Sequence, residues 1–465
     1  METTKKKQFK VPHTYVIIGI ILVIVTILTY IIPAGSYDRM EDPLTGRTLV
    51  VQDSFHFVEQ TPVSPFGMVM ALGDGLVDAA DIIFFIFFAY GFVYMLIQTG
   101  AFYGSMGALV RKLRGSEVLI FPAFMILFGI CGSTFGMYEE VYGLLPAFIG
   151  IAIALGYDGL VGGAAVVLGT ATGFAAATLN PFTIGIAQGI AELPIGSGVV
   201  FRIICFVLFE SLVIWYLMRY AHRVKKDPSL SLVRDVKFNT GGSMTREKME
   251  ALPFTAKHKI IMLLFMVTIG ILVYGTSQLG WYLSELSALF VTMMIIVGLI
   301  GGYGFSKIAG FFVEAVAEVI FGALVVGIAR SLTIVMTEGN IIDTVVYYMA
   351  GTLTNVGSSI AAVGMVAVQN LINFFIPSGS GQAAVSMPIM VPLADAIGMN
   401  RQIAVLAFQF GDGFSNLFWP TSVALECGLM GIPVEKWYRF MGPLFFMMLI
   451  LQVILIVIST MINYS

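Results

Sequence analysis

Apolar runs close to the thickness of a bilayer core recur along the whole chain, and no other feature restricts its fold so tightly. A helix needs about 20 apolar residues to cross the hydrocarbon. Val16–Ile32, Ile82–Thr99, Val199–Met218, Leu283–Ile300, Val313–Met336 and Phe440–Met461 meet or approach that length. Shorter or interrupted apolar runs lie between them. Charge is scarce to match: 11% of the 465 residues are Asp, Glu, Lys or Arg, and 58% are hydrophobic. Soluble domains carry roughly 25% charged residues, so composition excludes a soluble enzyme and a disordered scaffold. A net charge of −3 gives no field to attract a polyanion, and no nucleic-acid partner is expected. Backbone polar groups in lipid must be satisfied within the chain, which selects helices here. The expected fold is all-α, a polytopic membrane protein with the lipid bilayer as its surroundings. Lys5, Lys6, Lys7 and Lys10 precede the first run, but no convincing small-residue cleavage site follows, so that run reads as a retained helix. Cys131, Cys205 and Cys427 show no metal-ligand spacing and read as small buried hydrophobes.

Lys and Arg placement orients the spans. It predicts a cell-membrane protein with its N-terminus in the cytoplasm and its C-terminus outside. Residues 33–80 are acid-rich and fit outside, whereas the basic linker 221–259 fits inside. The halves also repeat: Pro146 and Pro388, Gly156 and Gly398, Asp158 and Asn400, and Gly169 and Gly411 share one offset of 242. The orientation makes the copies opposite in direction, so two inverted-topology repeats are expected, a mark of secondary transporters. The first occupies 1–220, with a surface arm at 101–113, a hairpin at 118–156 and a broken helix at 158–190. The second follows a reversing helix within 260–465, with an arm at 340–353, a hairpin at 360–398 and a broken helix at 402–428.

Each hairpin has a polar, Gly-rich centre, Gly132–Gly136 and Pro377–Gln382. Flanking charges make both re-entrant, one from each side of the membrane. Each broken helix has a polar stretch ending in proline, Thr170–Pro181 and Gly411–Pro420. Proline lacks the amide a helix needs. Unwound backbone at membrane depth is tolerated where it lines a polar cavity or is buried in protein. Two tips and two breaks meeting at the midplane would form one small-molecule site.

Ionisable residues at that depth are functional candidates by default. Glu139, Glu140 and Asp412 are the candidate substrate or cation ligands, and Arg330 is either a substrate ligand or the ion-pair partner of one of them. Thr134, Asn180, Ser378, Ser380, Gln382 and Asn416 supply uncharged polar atoms at the tips and breaks. Thr172, Thr178, Ser415 and the Gly411 backbone are the candidate Na⁺ ligands. Glu426 reads as interfacial or structural. No cofactor is expected beyond Na⁺ or H⁺ as coupling ion.

Several stretches resemble one family. Phe9–Tyr15, Tyr30–Arg39, Gly136-Met-Tyr-Glu-Glu140, Val326-Gly-Ile-Ala-Arg330, Ile376–Gln382 and Phe410–Asn416 are similar to the YfcC-type branch of the C4-dicarboxylate anaerobic carrier-like (DcuC-like) family. That branch lies within the ion transporter superfamily. The resemblance implies a homodimer, each protomer having a scaffold and a transport domain that works by an elevator motion. Related divalent-anion/Na⁺ symporters carry Ser-Asn-Thr at their hairpin tips. Here the tips read Gly132-Ser-Thr and Ser378-Gly-Ser, which weighs against a dicarboxylate.

Three acids and one base around the expected site would repel a dianion and attract a cation. The reading is therefore a basic amino acid transporter or an arginine/ornithine-like exchanger. The alternative is a Na⁺- or H⁺-coupled C4-dicarboxylate or other organic-anion symporter. A channel fits hairpins from both faces less well. An intramembrane hydrolase lacks a histidine at membrane depth and a metal-ligand pattern.

Overall fold

The first apolar run forms α1, Thr14–Ile31, in the computed structural model of the protein, which describes residues 14–41, 48–51, 54–113, 116–238, 247, 251–353 and 356–465. The Phe9–His13 part of the opening motif lies outside those residues. So does most of 239–250 in the basic linker.

After α1 the chain is too polar for lipid and satisfies its backbone in two short antiparallel ladders. β1 (Gly35–Ser36) pairs with β4 (His56–Phe57), and β2 (Arg39–Glu41) with β3 (Thr48–Val50). These strands are a small exception to the all-α expectation. Next come α2 (Pro65–Asp78) and α3 (Ala80–Gln98), separated only by Ala79. Hydropathy starts this span at Ile82 and misses α2, because Gly67, Gly73, Asp74, Gly75 and Asp78 dilute its apolar character. Ser64 starts α2 by accepting a hydrogen bond from the Gly67 amide at 3.0 Å.

The chain continues through α4 (Ala101–Lys112), α5 (Ile120–Phe135), a 3₁₀ turn at Glu139–Leu144, α6 (Leu145–Ala154), α7 (Gly159–Ala175), α8 (Ile184–Ile190) and α9 (Val199–Lys226). The remaining helices are α10 (Ala256–Gln278), α11 (Leu283–Gly301), α12 (Phe305–Glu338), α13 (Ile342–Gly351), α14 (Ser358–Phe375), α15 (Gly379–Ala396), α16 (Arg401–Ser415), α17 (Pro420–Met430) and α18 (Val434–Met461). Among the described residues, eight helices are long and apolar enough to cross a membrane. The chain is a multi-pass membrane protein.

Helix order runs in parallel after α3 and after α12: a short helix, a hairpin, a helix ending in a break, and a 28-residue helix, α9 or α18. The caps match as well. Asp158 starts α7 by accepting from the Val161 amide at 3.1 Å, and Asn400 starts α16 by accepting from the Gln402 amide at 2.9 Å. Gly156 and Gly398, in the preceding turns, both have positive φ.

Two elements differ from expectation. α4 is amphipathic but does not simply lie on a surface, since Phe102, Tyr103, Met106 and Val110 are buried and it packs on α10. The second arm, α13, is clamped from the polar segment: Arg39 pairs with the buried Asp343 at 2.9 Å, and Phe55 stacks on Tyr347 with centroids 4.1 Å apart. The described linker residues are anchored too. Ser231 donates to Asp158 at 2.6 Å, and the Lys436 ammonium bonds Asp235 and holds its carboxyl below the usual carboxylate range.

Packing between each hairpin and its broken helix is backbone on backbone. A Cβ on Gly173 of α7 would lie 2.0 Å from the Gly129 carbonyl oxygen of α5. A Cβ on Gly411 of α16 would lie 2.6 Å from the Val366 carbonyl oxygen of α14, and one on Gly413 would lie 2.3 Å from Ala175 Cα. Gly173→Ala should therefore destabilise the protein by about 1–3 kcal/mol, the usual size of an overpacking penalty. Gly270→Ala, with nothing within 4 Å of the added carbon, should not. Thermal unfolding of the purified proteins in detergent checks this, and equal midpoints for the two variants would refute it.

Candidate functional site

The first break is built on one carbonyl. α7 stops at Ala175 and α8 starts at Ile184, with Pro181 between them. The Thr178, Leu179 and Asn180 amides all donate to the Ser133 carbonyl of α5, at 2.9, 3.1 and 3.2 Å. The Ser133 hydroxyl also accepts from the Thr178 amide at 3.0 Å. The turn after α5 follows the same surface. Gly136 has φ +73°, and a Cβ there would fall 2.4 Å from Asn180 Oδ1. Asn180 Oδ1 accepts from the Phe182 amide at 2.8 Å, while its Nδ2 is buried without a partner.

The second hairpin tip meets both broken helices. Ser378 caps α15, and Gly379 begins it. A Cβ on Gly379 would lie 2.6 Å from the Thr183 methyl and 3.2 Å from Asp412 Oδ2. Asp412 is fully buried. Its Oδ1 accepts from Asn373 Nδ2 of α14 at 2.9 Å, and its Oδ2 has no hydrogen-bond partner. Thr183 Oγ1 and Asn373 Oδ1 are also buried and unpartnered. The N-terminus of α15 gives Asp412 a favourable partial charge. Gln409 of α16 donates to the Phe174 carbonyl at 2.8 Å, closing the end of α7.

Tyr138 links this region to the acids. Its hydroxyl donates to Glu426 Oε1 of α17 at 3.0 Å, and its amide donates to Glu140 Oε2 at 2.8 Å. Its ring packs edge-on against Phe174 at 5.1 Å. Two carboxyls, those of Glu140 and Glu426, thus bond one tyrosine. Glu426 is fully buried, with Oε2 unpartnered. Of its two expected readings, interfacial or structural, the buried bond from Tyr138 agrees with the structural one.

Arg330 is not among these groups. It is half-exposed on α12 and forms an ion pair with Asp78 of α2, so neither the substrate-ligand reading nor a pairing with a site carboxyl describes its contacts. α2, the helix hydropathy overlooked, supplies its partner. Gln382 is buried and donates to the Gln369 carbonyl and side-chain oxygen at 2.8 and 2.7 Å, bracing its own hairpin. Asn416 donates to the Asp412 carbonyl at 3.1 Å and accepts from Ser422. Thr134 bonds back to Ile130, and Ser380 is half-buried at the second tip.

Of the candidate Na⁺ ligands, only the Thr172 hydroxyl is buried and unpartnered. Thr178 bonds Ser133, and Ser415 donates to the Asp412 carbonyl at 2.8 Å. Gly411 and Asp412 lie in the last turns of α16, not in the break. The break spans only 416–419, since the α14 surface supports the helix as far as Ser415.

Sequence reasoning missed Tyr138, Thr183, Asn373 and Arg202. Arg202 sits on α9, 1% exposed. It donates Nε to the Thr178 carbonyl at 3.1 Å and Nη1 to Tyr464 at 2.9 Å, and its Nη2 has no partner. The signal was present: single polar residues inside Val199–Met218 and Ile360–Ile376 are the kind that membrane helices keep for a reason.

The chain matches the C4-dicarboxylate anaerobic carrier family over residues 11–461. It is 30% identical to an Escherichia coli (strain K12) protein named "Putative basic amino acid antiporter YfcC", over 100% of this chain and 99% of that one. It is 29% identical to an uncharacterized protein of Haemophilus influenzae, over 98% of both. Among solved structures it is similar to the YdaH transporter of Alcanivorax borkumensis, with TM-score 0.45 and 14% identity over 97% of this chain and 99% of that one. It is also similar to MtrF of Neisseria gonorrhoeae, with TM-score 0.44 and 18% identity over 97% and 96%.

Because Arg202 holds the Thr178 carbonyl, Arg202→Gln should loosen the first break. Hydrogen exchange should speed up across 176–183 and stay unchanged in α11. Wild-type protection at 176–183 in the variant would show that Arg202 does not hold it.

Proposed function

The chain belongs to the C4-dicarboxylate anaerobic carrier family, and from that premise we propose that it is a secondary active transporter of basic amino acids. The family is one of membrane carriers rather than enzymes, so a small-molecule substrate crosses the bilayer through it. One observation carries the choice of substrate. Glu140 and Glu426 both bond Tyr138, Glu139 adjoins them in the chain, Asp412 lies at the second hairpin tip, and among the described residues no Lys or Arg side chain bonds any of these acids. A dianion there would meet like charge, whereas a guanidinium or ammonium group would offset it. The substrate's own carboxylate would face the Ser378–Gly379 start of α15, where a helix N-terminus favours an anion. The name of the Escherichia coli relative agrees with this reading. The family description favours a second reading, a C4-dicarboxylate symporter, which would need Na⁺ or H⁺ to neutralise the acids.

The proposed architecture is two inverted repeats, 1–220 and 260–465, joined by the linker 221–259. The paired caps, hairpins and 28-residue helices support the duplication. The tips and breaks would ride on a transport domain moving past a scaffold, as an elevator, in a homodimer of the cell membrane. The N-terminus is placed in the cytoplasm and the C-terminus outside. Thr172 remains a candidate for a coupling Na⁺.

Counterflow in proteoliposomes decides the substrate. Internal L-arginine should accelerate entry of labelled L-arginine, and succinate should not. Trans-stimulation by succinate alone would establish the dicarboxylate reading, and no trans-stimulation by either would remove the carrier mechanism for both. Glu139→Gln and Glu140→Gln should each lower arginine exchange roughly ten- to a hundredfold, the equivalent of a charged hydrogen bond of about 1.5–3 kcal/mol. Wild-type rates in both variants would remove these residues from the site. Asp412→Asn should alter the Na⁺ or pH dependence of exchange, and an unchanged profile would argue against its coupling role.

A further inference from the structure

α9 carries a charged residue that the proposed site does not use. Glu210 lies near the middle of this helix, 4% exposed, and neither carboxyl oxygen has a hydrogen-bond partner. Its pocket is made by a missing side chain. A Cβ on Gly129 of α5 would lie 3.0 Å from Glu210 Oε2 and 3.1 Å from its Cδ. Behind Gly129, α5 and α7 touch backbone to backbone at Gly173. On α9 itself, Phe206 shares the Gly129 contact, and Phe209 packs on Phe414 at 4.2 Å and on Phe410 at 5.4 Å, either side of Asp412.

No charged group faces this carboxyl among the described residues. α5 and α7 contain no Asp, Glu, Lys or Arg, and the one thiol on α5 is Cys131. The 3₁₀ turn Pro228–Leu230 has no titratable side chain. α18 runs antiparallel to α9, since Arg202 reaches Tyr464 and Tyr216 reaches Phe440. Its Glu435, Lys436, Tyr438 and Arg439 therefore lie toward the far end of α9, with Tyr464 at the other. On α16, Asp412 bonds Asn373, and Arg401 pairs with Asp395 and Glu192. On α9, Arg202 is held by Thr178 and Tyr464, and Cys205 lies next to it in the helix.

An ionised carboxylate without a protein donor or counter-ion is strongly disfavoured at this depth, whereas a neutral carboxyl is tolerated. We propose that Glu210 is a proton-binding site of the membrane interior, occupied while α5 is packed against α9 as seen here. Release breaks the carboxyl O–H bond, passes the proton to water and leaves one negative charge on Glu210. Water reaches that oxygen only when α5 moves away from α9, so protonation is linked to the seating of the first hairpin. On the transport reading above, this makes H⁺ the ion that travels with the hairpin. The site itself does not depend on which substrate is carried.

The test uses purified full-length protein in liposomes without any substrate. In infrared spectra recorded over a pH titration, the wild type should show the C=O band of a protonated carboxyl that is missing from Glu210→Gln. A group kept neutral by folding contributes stability at low pH and loses it as pH rises. The wild-type melting temperature should therefore fall relative to Glu210→Gln as pH rises above the ordinary glutamate value of about 4.3. Superimposable spectra or parallel melting curves would overturn the proposal. Should Glu210→Gln fail to fold, dicyclohexylcarbodiimide labelling of the wild type replaces it, because this reagent attacks protonated carboxyls in apolar surroundings. Mass mapping should find the label on the Glu210 peptide, fading as pH rises, and no label at any pH would equally overturn the proposal. None of these readouts requires arginine or succinate to be transported, so they succeed or fail apart from the substrate assignment.

Discussion

Unwound backbone inside a bilayer has no water to bond, and the structure depends on how this chain meets that constraint. The Ser133 carbonyl takes three successive amides of the first break. Gln409 covers the Phe174 carbonyl at the end of α7, and the Trp419 indole donates to the Asn370 carbonyl at 2.7 Å beside the second break. Tyr438 of α18 donates to the Phe418 carbonyl within that break. Each interruption is thereby spliced to a neighbouring element rather than left loose. The broken helices hold their shape because hairpins and flanking helices complete their hydrogen bonding.

Such splicing requires close approach, which explains where many of the glycines fall. At Gly132, Gly173, Gly411 and Gly413 a Cβ would collide with backbone of another element. With lipid outside, there is little hydrophobic gain in bringing helices together, so small residues and backbone contact do the work. The same contacts bring α5, α7, α14 and α16 into one bundle. Their ends carry Tyr138, Asn180, Thr183, Asn373, Gly379 and Asp412 to a shared region.

Charge within this bundle is unevenly distributed. Glu140 and Glu426 bond Tyr138, while the buried Arg202 of neighbouring α9 bonds a break carbonyl instead of an acid. Arg330, the base that sequence reasoning sets against the acids, is engaged with Asp78. This imbalance is the ground for proposing a cationic substrate. Glu210 stands apart from both groups, with neither a counter-ion nor a hydrogen-bond donor.

Much of this was legible in the residues. Apolar length reveals a multi-pass helical protein because hydrocarbon thickness sets that length. The Asp158–Asn400 match holds as a pair of helix caps because a cap is a local geometry. Glu139, Glu140 and Asp412 stand out because charge in an apolar run is costly. Other features depend on distant partners. α2 is too glycine-rich for hydropathy and exists by packing on α12, where a Cβ on Gly75 would lie 2.5 Å from the Gly327 carbonyl oxygen. Gln382 reads as a ligand until Gln369 is seen across the hairpin, and Glu426 reads as interfacial or structural until Tyr138 is seen to bond it. The sequence by itself determined the solvent, the helices, their caps and the points where they break, since those follow from local chemistry and the cost of charge in lipid. Which polar atoms are consumed and which are left open was decided by tertiary structure alone, because a hydrogen bond between residues hundreds of positions apart leaves no local trace.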